Sequence, residues 1–292
     1  MSTSGIRPRR PGRVARLRVQ EHLTDGTRRH EDEVATEEPL EVRLAWPGRP
    51  AERVAVTMRT PGHDFELAAG LLHAEGVLVP GHVDTIAYCT DETLAPEEEL
   101  NVVTVHLDSP PPRSPMARRG TLTAASSACG VCGAESVRDV LDLAVCGHDA
   151  PGGDAVAVSP AVVRRLPEAL RASQGLFDRT GGVHAAGLFA VDGATVVVRE
   201  DVGRHNAVDK VVGHRLLAGV DPRTHPDAVL CVSGRLGFEV VQKAVAARIP
   251  VVVAVGAPTS LAVRLAREAG QTLVGFTRDE RFVAYAGAHR LV

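Results

Sequence analysis

The chain has 292 residues, 44% of them hydrophobic but only 3% aromatic, and a formal net charge of −3. That length buries one large core or two modest ones, and the small negative charge excludes a general pull toward nucleic acid or an anionic membrane surface. No apolar run is long enough to cross a bilayer, and the start MSTSGIRPRRPGRVARLRV lacks the apolar stretch of a secretory signal, so a cytoplasmic location is expected. Residues 1–37 are rich in Arg, Pro, Thr and acidic side chains without a lasting period, which predicts a disordered, Arg-rich extension. From Glu38 the pattern sharpens. PLEVRLAW alternates as a strand, and AERVAVTMRT reads as its partner across Pro47, Gly48 and Pro50. In TPGHDFELAAGLLHAEGVL, Phe65, Ala68, Ala69, Leu71 and Leu72 recur at helical spacing, with Asp64 placed to cap the helix and Gly76 to end it. ELNVVTVHL is a further strand, so 38–108 is expected to form a small α+β domain. The prolines and arginines of SPPPRSPMARRG then predict a flexible connector over 109–125.

The five cysteines stand at 89, 129, 132, 146 and 231, an odd number in a long chain, which argues against a disulfide framework. Cys89, Cys146 and Cys231 lie in apolar stretches and are expected to be plain buried thiols. Cys129 and Cys132 differ: SSACGVCGAES surrounds them with small residues, just before the helical pattern AESVRDVLDLAV. A helix N-terminus favours thiolate over thiol, so the pair suits half a zinc site, a redox dithiol or a sulfur-bearing nucleophile. Zinc needs two more ligands, and none follows Cys132 closely; His184, His205 or His214 would have to be brought in by folding. A thioredoxin-like dithiol normally follows the first strand of a βαβ unit, whereas this pair follows a connector. A zinc deaminase reading of TGGVHAAGLF fails on three counts. Ala186 stands where the proton-shuttling Glu belongs, the cysteines precede the histidine, and no Pro precedes Cys129.

The second half alternates strand and helix: ATVVVRE, DVGRHNAVDKVVGHRLL, DAVLCVSG, FEVVQKAVAARI, PVVVAVG, SLAVRLAREAG and QTLVGF. Near-continuous valine runs imply strands buried on both faces, as in a parallel or mostly parallel sheet between helices, and predict a three-layer α/β domain over 126–292. Ligands of such sheets bind beyond the carboxyl ends of strands, here Ser233-Gly234-Arg235 and the run from Gly256 to Ser260, where helix N-termini suit an anion, although plain loop and N-cap residues account for these stretches equally well. GFTRDERFVAY gathers Phe276, Phe282 and Tyr285 with Arg278 and Arg281, a combination suited to phosphate and flat heterocycles, although, taken alone, an ordinary edge strand with charged ends is the simpler account. For His184 and His205 a satisfied structural role is the simpler expectation, and Asp201, Arg204 and Asp209 read most simply as a charged helix face.

Taken together, EEPLEVRL, TPGHDFELAAGLLHAEGVL, SACGVCG, TGGVHAAGLF, REDVGRHNAVDKVVG, SGRLGFEVVQKAVAARIPVVVAVGAPTSLAVRLA and GFTRDERF resemble, in the same order, the successive blocks of the formate dehydrogenase accessory sulfurtransferase (FdhD) family. The resemblance implies an α/β protein: a C-terminal three-layer cytidine-deaminase-like domain with a smaller N-terminal α+β domain, cytoplasmic and homodimeric. It further implies a sulfur carrier that takes sulfur from a cysteine desulfurase as a persulfide on Cys129, with Cys132 assisting. The acceptor would be the molybdenum bis(molybdopterin guanine dinucleotide) cofactor needed by formate dehydrogenase, held by Phe276, Thr277, Arg278, Asp279, Glu280 and Arg281. Gly237 departs from the pattern, standing where a hydroxyl-bearing residue is expected. From another class, a nucleotide-binding regulatory module with a metal-binding or redox-switch cysteine pair also fits the residues.

Overall fold

The computed structural model describes residues 12–89, 99–113, 156–220 and 228–292. Cys129, Cys132 and Cys146, the expected connector from residue 114 on, and the helix expected after the cysteine pair all lie outside the described residues.

The chain opens with ordered structure where disorder is expected. Strands β1 (Val14–Leu23) and β2 (Gly26–Ala35) form an antiparallel two-stranded sheet through the stretch expected to be disordered. Arg16 pairs with Glu33 and Arg28 with Glu21 across it, so cross-strand charge pairing replaces apolar alternation. Next come β3 (Glu38–Trp46), β4 (Arg49–Arg59), helix α1 (Asp64–Ala74), β5 (Val83–Tyr88) and β6 (Val102–Leu107), the four strands forming one sheet in the order β4-β3-β6-β5. Leu40, Val42 and Leu44 alternate along β3 and are fully buried, so a single face of this sheet meets the core. Asp64 begins α1 but does not cap it. His63, left-handed at φ 58°, holds the cap position, and the Asp64 carboxylate accepts from the Gly62 N–H. Gly76, at φ +70°, follows the helix as expected of a terminating glycine.

After residue 156 come α2 (Pro160–Ala172), α3 (Gly175–Thr180), β7 (His184–Ala190), β8 (Thr195–Asp201), α4 (Arg204–Leu217), β9 (Ala228–Val232), α5 (Phe238–Ala246), β10 (Val251–Ala254), α6 (Ser260–Glu268), β11 (Thr272–Gly275) and β12 (Val283–Ala286). The alternation from β8 to β11 is as predicted; α2, which buries Val162, Val163, Leu166 and Leu170 at helical spacing, α3 and β7 precede it, and β12 follows. The six-stranded sheet runs β12-β11-β10-β9-β7-β8. Only β9, β10 and β11 are mutually parallel, whereas β12, β7 and β8 each run antiparallel to a neighbour, so the expectation of a mostly parallel sheet holds for its centre alone. Valine runs report burial on both faces, not direction. That burial is literal in β10: Val252 and Ala254 join the core under α4, α5 and α6, while Val251 and Val253 join the one under α2. Helices thus cover both faces, giving the three-layer α/β unit expected as cytidine-deaminase-like.

The helical layer of α4, α5 and α6 is covered in turn by α1 and the four-stranded sheet, within one continuous apolar core. Close approach of α1 and α4 depends on Gly70 and Gly213, where a Cβ would collide with the Asp209 and Glu66 carbonyls respectively. Because α4 is sandwiched, its polar residues are buried too. Asp201 is fully buried and binds Lys210 Nζ at 2.6 Å, and Asp209 binds Lys243 Nζ at 2.7 Å. The charged helix face expected of Asp201 and Asp209 is therefore an internal network. The Thr60 N–H donates to Asp201 Oδ2 at 3.2 Å, Thr60 O accepts from Lys210 at 2.9 Å, and Asn206 Nδ2 donates to the Met58 carbonyl at 2.7 Å, which ties the end of β4 to the start of α4.

Candidate functional site

Strand directions bring the carboxyl ends of β8, β9, β10 and β11 and the start of β7 to one edge of the six-stranded sheet. Helices α4, α5 and α6 all begin there, following β8, β9 and β10. Three helix N-termini concentrate partial positive charge and unsatisfied N–H groups on one rim. Only α6 has a side-chain cap, with Thr259 accepting from the Ala262 N–H at 3.3 Å; Gly203 and Gly237 cap α4 and α5 without one. A Cβ added at Gly237 would meet nothing within 4 Å, so the missing hydroxyl leaves open space at the α5 terminus.

Glycines let the loops of this edge stack. A Cβ at Gly256 would lie 2.8 Å from the Gly234 carbonyl, and one at Gly275 would lie 2.9 Å from Pro258 Cδ. Hydrogen bonds then knit them: Gly256 N–H to Gly234 O at 3.1 Å, Leu236 N–H to Ala257 O at 3.0 Å, and Phe276 N–H to Gly256 O at 3.0 Å. The run expected to bind the cofactor follows directly. Phe276 is held left-handed at φ 51°, unusual for an aromatic residue and a form of strain that clusters at functional sites. The residue is 39% exposed. Thr277 is buried, its hydroxyl without a hydrogen-bond partner among the described residues. Arg278 and Arg281 exchange backbone hydrogen bonds at 2.8 and 3.3 Å, closing a turn that carries Asp279 and Glu280 outward. The Arg278 guanidinium donates to the Val255 and Thr277 carbonyls at 3.1 and 3.2 Å and is occupied in holding the loop, whereas Arg281 is exposed and makes no side-chain ion pair among the described residues.

Two further arginines complete the rim. Arg204, first residue of α4, and Arg235, exposed after β9, also lack an acidic partner among the described residues. His184 sits between them, its Nδ1 3.5 Å from where a Gly234 Cβ would be. Burial pushes the His184 ring below its usual pKa, helped by Arg204, His205 and Arg235, so the ring is neutral near pH 7. Neither ring nitrogen has a protein partner among the described residues, contrary to the expectation of a satisfied structural histidine. His205 does match it, with Nε2 2.6 Å from Glu239. Ala186, two residues beyond His184, is fully buried in β7, so no carboxylate stands there to shuttle protons. The edge can hold a multiply charged anion with a flat group near Phe276. Sequence reasoning found Ser233 to Arg235 and the 276–281 run but missed Arg204 and the open state of His184; the available signal was that both residues stand at strand–helix or strand starts on the same edge.

Of the other cysteines, Cys231 is fully buried, and burial pushes its thiol far above the usual range. Cys89 is half-buried, with Sγ 3.9 Å from Arg43 Nη1.

The sequence profile of the FdhD/NarQ family matches residues 35–292. The chain belongs to that family. This FdhD/NarQ protein is 48% identical over 283 residues to the sulfur carrier protein FdhD of Streptomyces coelicolor, covering 96% of both chains. It is equally 48% identical, over 271 residues, to the one of Anaeromyxobacter dehalogenans, covering 89% of this chain and 88% of that protein. Among solved structures, a candidate formate dehydrogenase accessory protein from Desulfotalea psychrophila shares its fold, with a TM-score of 0.71 at 24% identity over 96% of this chain and 99% of the other.

Proposed function

We propose that this FdhD/NarQ protein is a cytoplasmic sulfur carrier and sulfurtransferase serving formate dehydrogenase. A cysteine desulfurase supplies the sulfur, and the molybdenum bis(molybdopterin guanine dinucleotide) cofactor receives it while held at the carboxyl edge. The Cys129 thiolate attacks the outer sulfur of the desulfurase persulfide; a new S–S bond forms at Cys129 as the donor bond breaks, and the desulfurase cysteine leaves as thiolate. Attack by Cys132 on the inner sulfur then closes a Cys129–Cys132 disulfide and releases hydrosulfide to the acceptor. A cellular dithiol reduces the disulfide afterwards.

The observation that carries the acceptor side is the set of guanidinium groups without an acidic partner among the described residues, Arg204, Arg235 and Arg281, around three helix N-termini beside the exposed Phe276. A guanine dinucleotide offers phosphates to the first and a flat base to the second. The names of the relatives support the sulfur side. Incubation of the purified chain with a desulfurase and cysteine, followed by mass spectrometry, tests the reading: an extra sulfur should map to Cys129 and be lost in Cys129→Ala. Stoichiometric zinc on both thiols, with no sulfur uptake, would overturn it.

A further inference from the structure

Among the groups on the carboxyl edge, His184 is set apart by its lack of a partner. It opens β7 half-buried, and neither ring nitrogen has a hydrogen bond among the described residues. The charged and titratable groups that face it are Arg204 and His205 from the start of α4, Arg235 from the turn after β9 and Asp201 from the end of β8. The single carboxylate of this set cannot serve the ring. Although Asp201 stands opposite His184 in the β7–β8 register, its Oδ1 accepts from the Gly203 and Asn206 N–H groups at 2.8 and 3.0 Å, and its Oδ2 from the Thr60 N–H and Lys210 at 3.2 and 2.6 Å. Glu239 on α5 is engaged as well, by His205 at 2.6 Å.

An imidazole in these surroundings responds to an incoming anion. Without a ligand, burial and the adjacent guanidinium groups disfavour a further positive charge on the ring. A diphosphate bridging Arg204 and Arg235 reverses that field, because its negative charges offset the two guanidinium groups and its oxygens accept from an imidazolium N–H in a charge-assisted bond. Arginine keeps its proton throughout and cannot respond in this way. His184 can.

We propose that His184 is a ligand-binding residue of this edge that takes up a proton from solvent as a diphosphate ligand seats between Arg204 and Arg235, its ring then donating as imidazolium to a phosphate oxygen. This rests on the edge being the seat of the dinucleotide phosphates, and adds that the hold on them is proton-linked. A permanent cation at position 184 would hold the anion equally at every pH, whereas a histidine makes the hold conditional. The bound ring keeps its proton to a higher pH than the free ring does. Affinity is therefore lowest where both are neutral, rises as the pH falls through the bound value, and levels off below the free one.

Isothermal titration calorimetry on the full chain tests this, with guanosine diphosphate mannose as the probe. A terminal phosphate would itself titrate near pH 6, at about the same place as the ring, whereas the diphosphate of this diester does not. In buffers of different ionisation enthalpy the wild type should take up about half to one proton per ligand near pH 6.5, and its affinity should rise about tenfold between about pH 8 and about pH 6. His184→Gln can still donate but cannot titrate, so it should bind at the upper end of that range much as the wild type does, with neither proton uptake nor pH dependence. His205→Gln, which alters the neighbouring titratable ring, should keep both. Circular dichroism checks that each variant folds. Wild-type binding without proton uptake, uptake that survives in His184→Gln, or uptake lost in His205→Gln would overturn the proposal while leaving the edge a ligand site. No binding at any pH would instead overturn the edge as the ligand site, and this inference with it.

Discussion

The seam where α1 and α4 cross and the carboxyl edge of the six-stranded sheet are both rich in charge, yet they treat it in opposite ways. In the seam the buried Arg59 and Lys210 and the half-buried Arg199 have carboxylate partners: Arg59 binds Asp64 at 3.0 Å, Lys210 binds Asp201 at 2.6 Å, and Arg199 binds Glu66 at 2.5 and 2.7 Å. Such pairs roughly balance their desolvation, so they specify how the layers dock more than they add net stability. At the edge, Arg204, Arg235 and Arg281 have no carboxylate partner among the described residues. Charge matched inside the protein builds architecture, whereas charge unmatched on a rim stays available to a ligand.

The sharpest way to break this contrast is to remove a seam carboxylate. Asp201→Ala strands Lys210 and should cost about 3–5 kcal/mol in urea or thermal unfolding. An edge change should do the reverse. The double variant Arg204→Ala with Arg235→Ala should keep its stability within about 0.5 kcal/mol while losing about tenfold to a hundredfold in affinity for guanosine diphosphate by calorimetry. Equal loss of stability in both regions would erase the distinction.

Acid titration separates the regions further. His63, on the seam, is held down to about 4 by burial first and then by Arg199, against the pull of Glu66. Its unfolded form binds a proton more readily, so stability should be full above the ordinary value of 6.5 and fall as the pH drops toward 4. The side chain is 40% exposed, so solvent screening reduces the effect to about 1–2 kcal/mol, and His63→Gln should flatten that part of the pH profile. The smallest change belongs to the edge. Gly237→Ser fills open space at the α5 N-cap and should add a few tenths of a kcal/mol, seen as a small rise in melting temperature.

Where apolar periodicity is strong, as in β3, β4, α1 and the valine strands, the chain announces its elements, because burial on a face requires that period. The β1–β2 ribbon hid from this logic: Arg, Glu and His alternate there, and its pairing is electrostatic. Asp209 reads as part of a charged face, yet α4, sandwiched between two layers, buries polar residues that a surface helix would expose, and Asp201 at the end of β8 is buried as the partner of Lys210 in the same helix. The 276–281 run was legible from its scarce aromatics and arginines. Arg204 and His184 join that run only through strand order, which no local pattern encodes.

The continuous apolar core has a consequence for how the molecule comes apart. Residues of β3, α1 and β6 share it with residues of α4, α5, β9 and β10, so the first half has no private interior, and the second keeps only its separate core under α2. Denaturant should meet a single all-or-none transition, and cutting the chain after β6 should yield two fragments that are each sticky and short of partners.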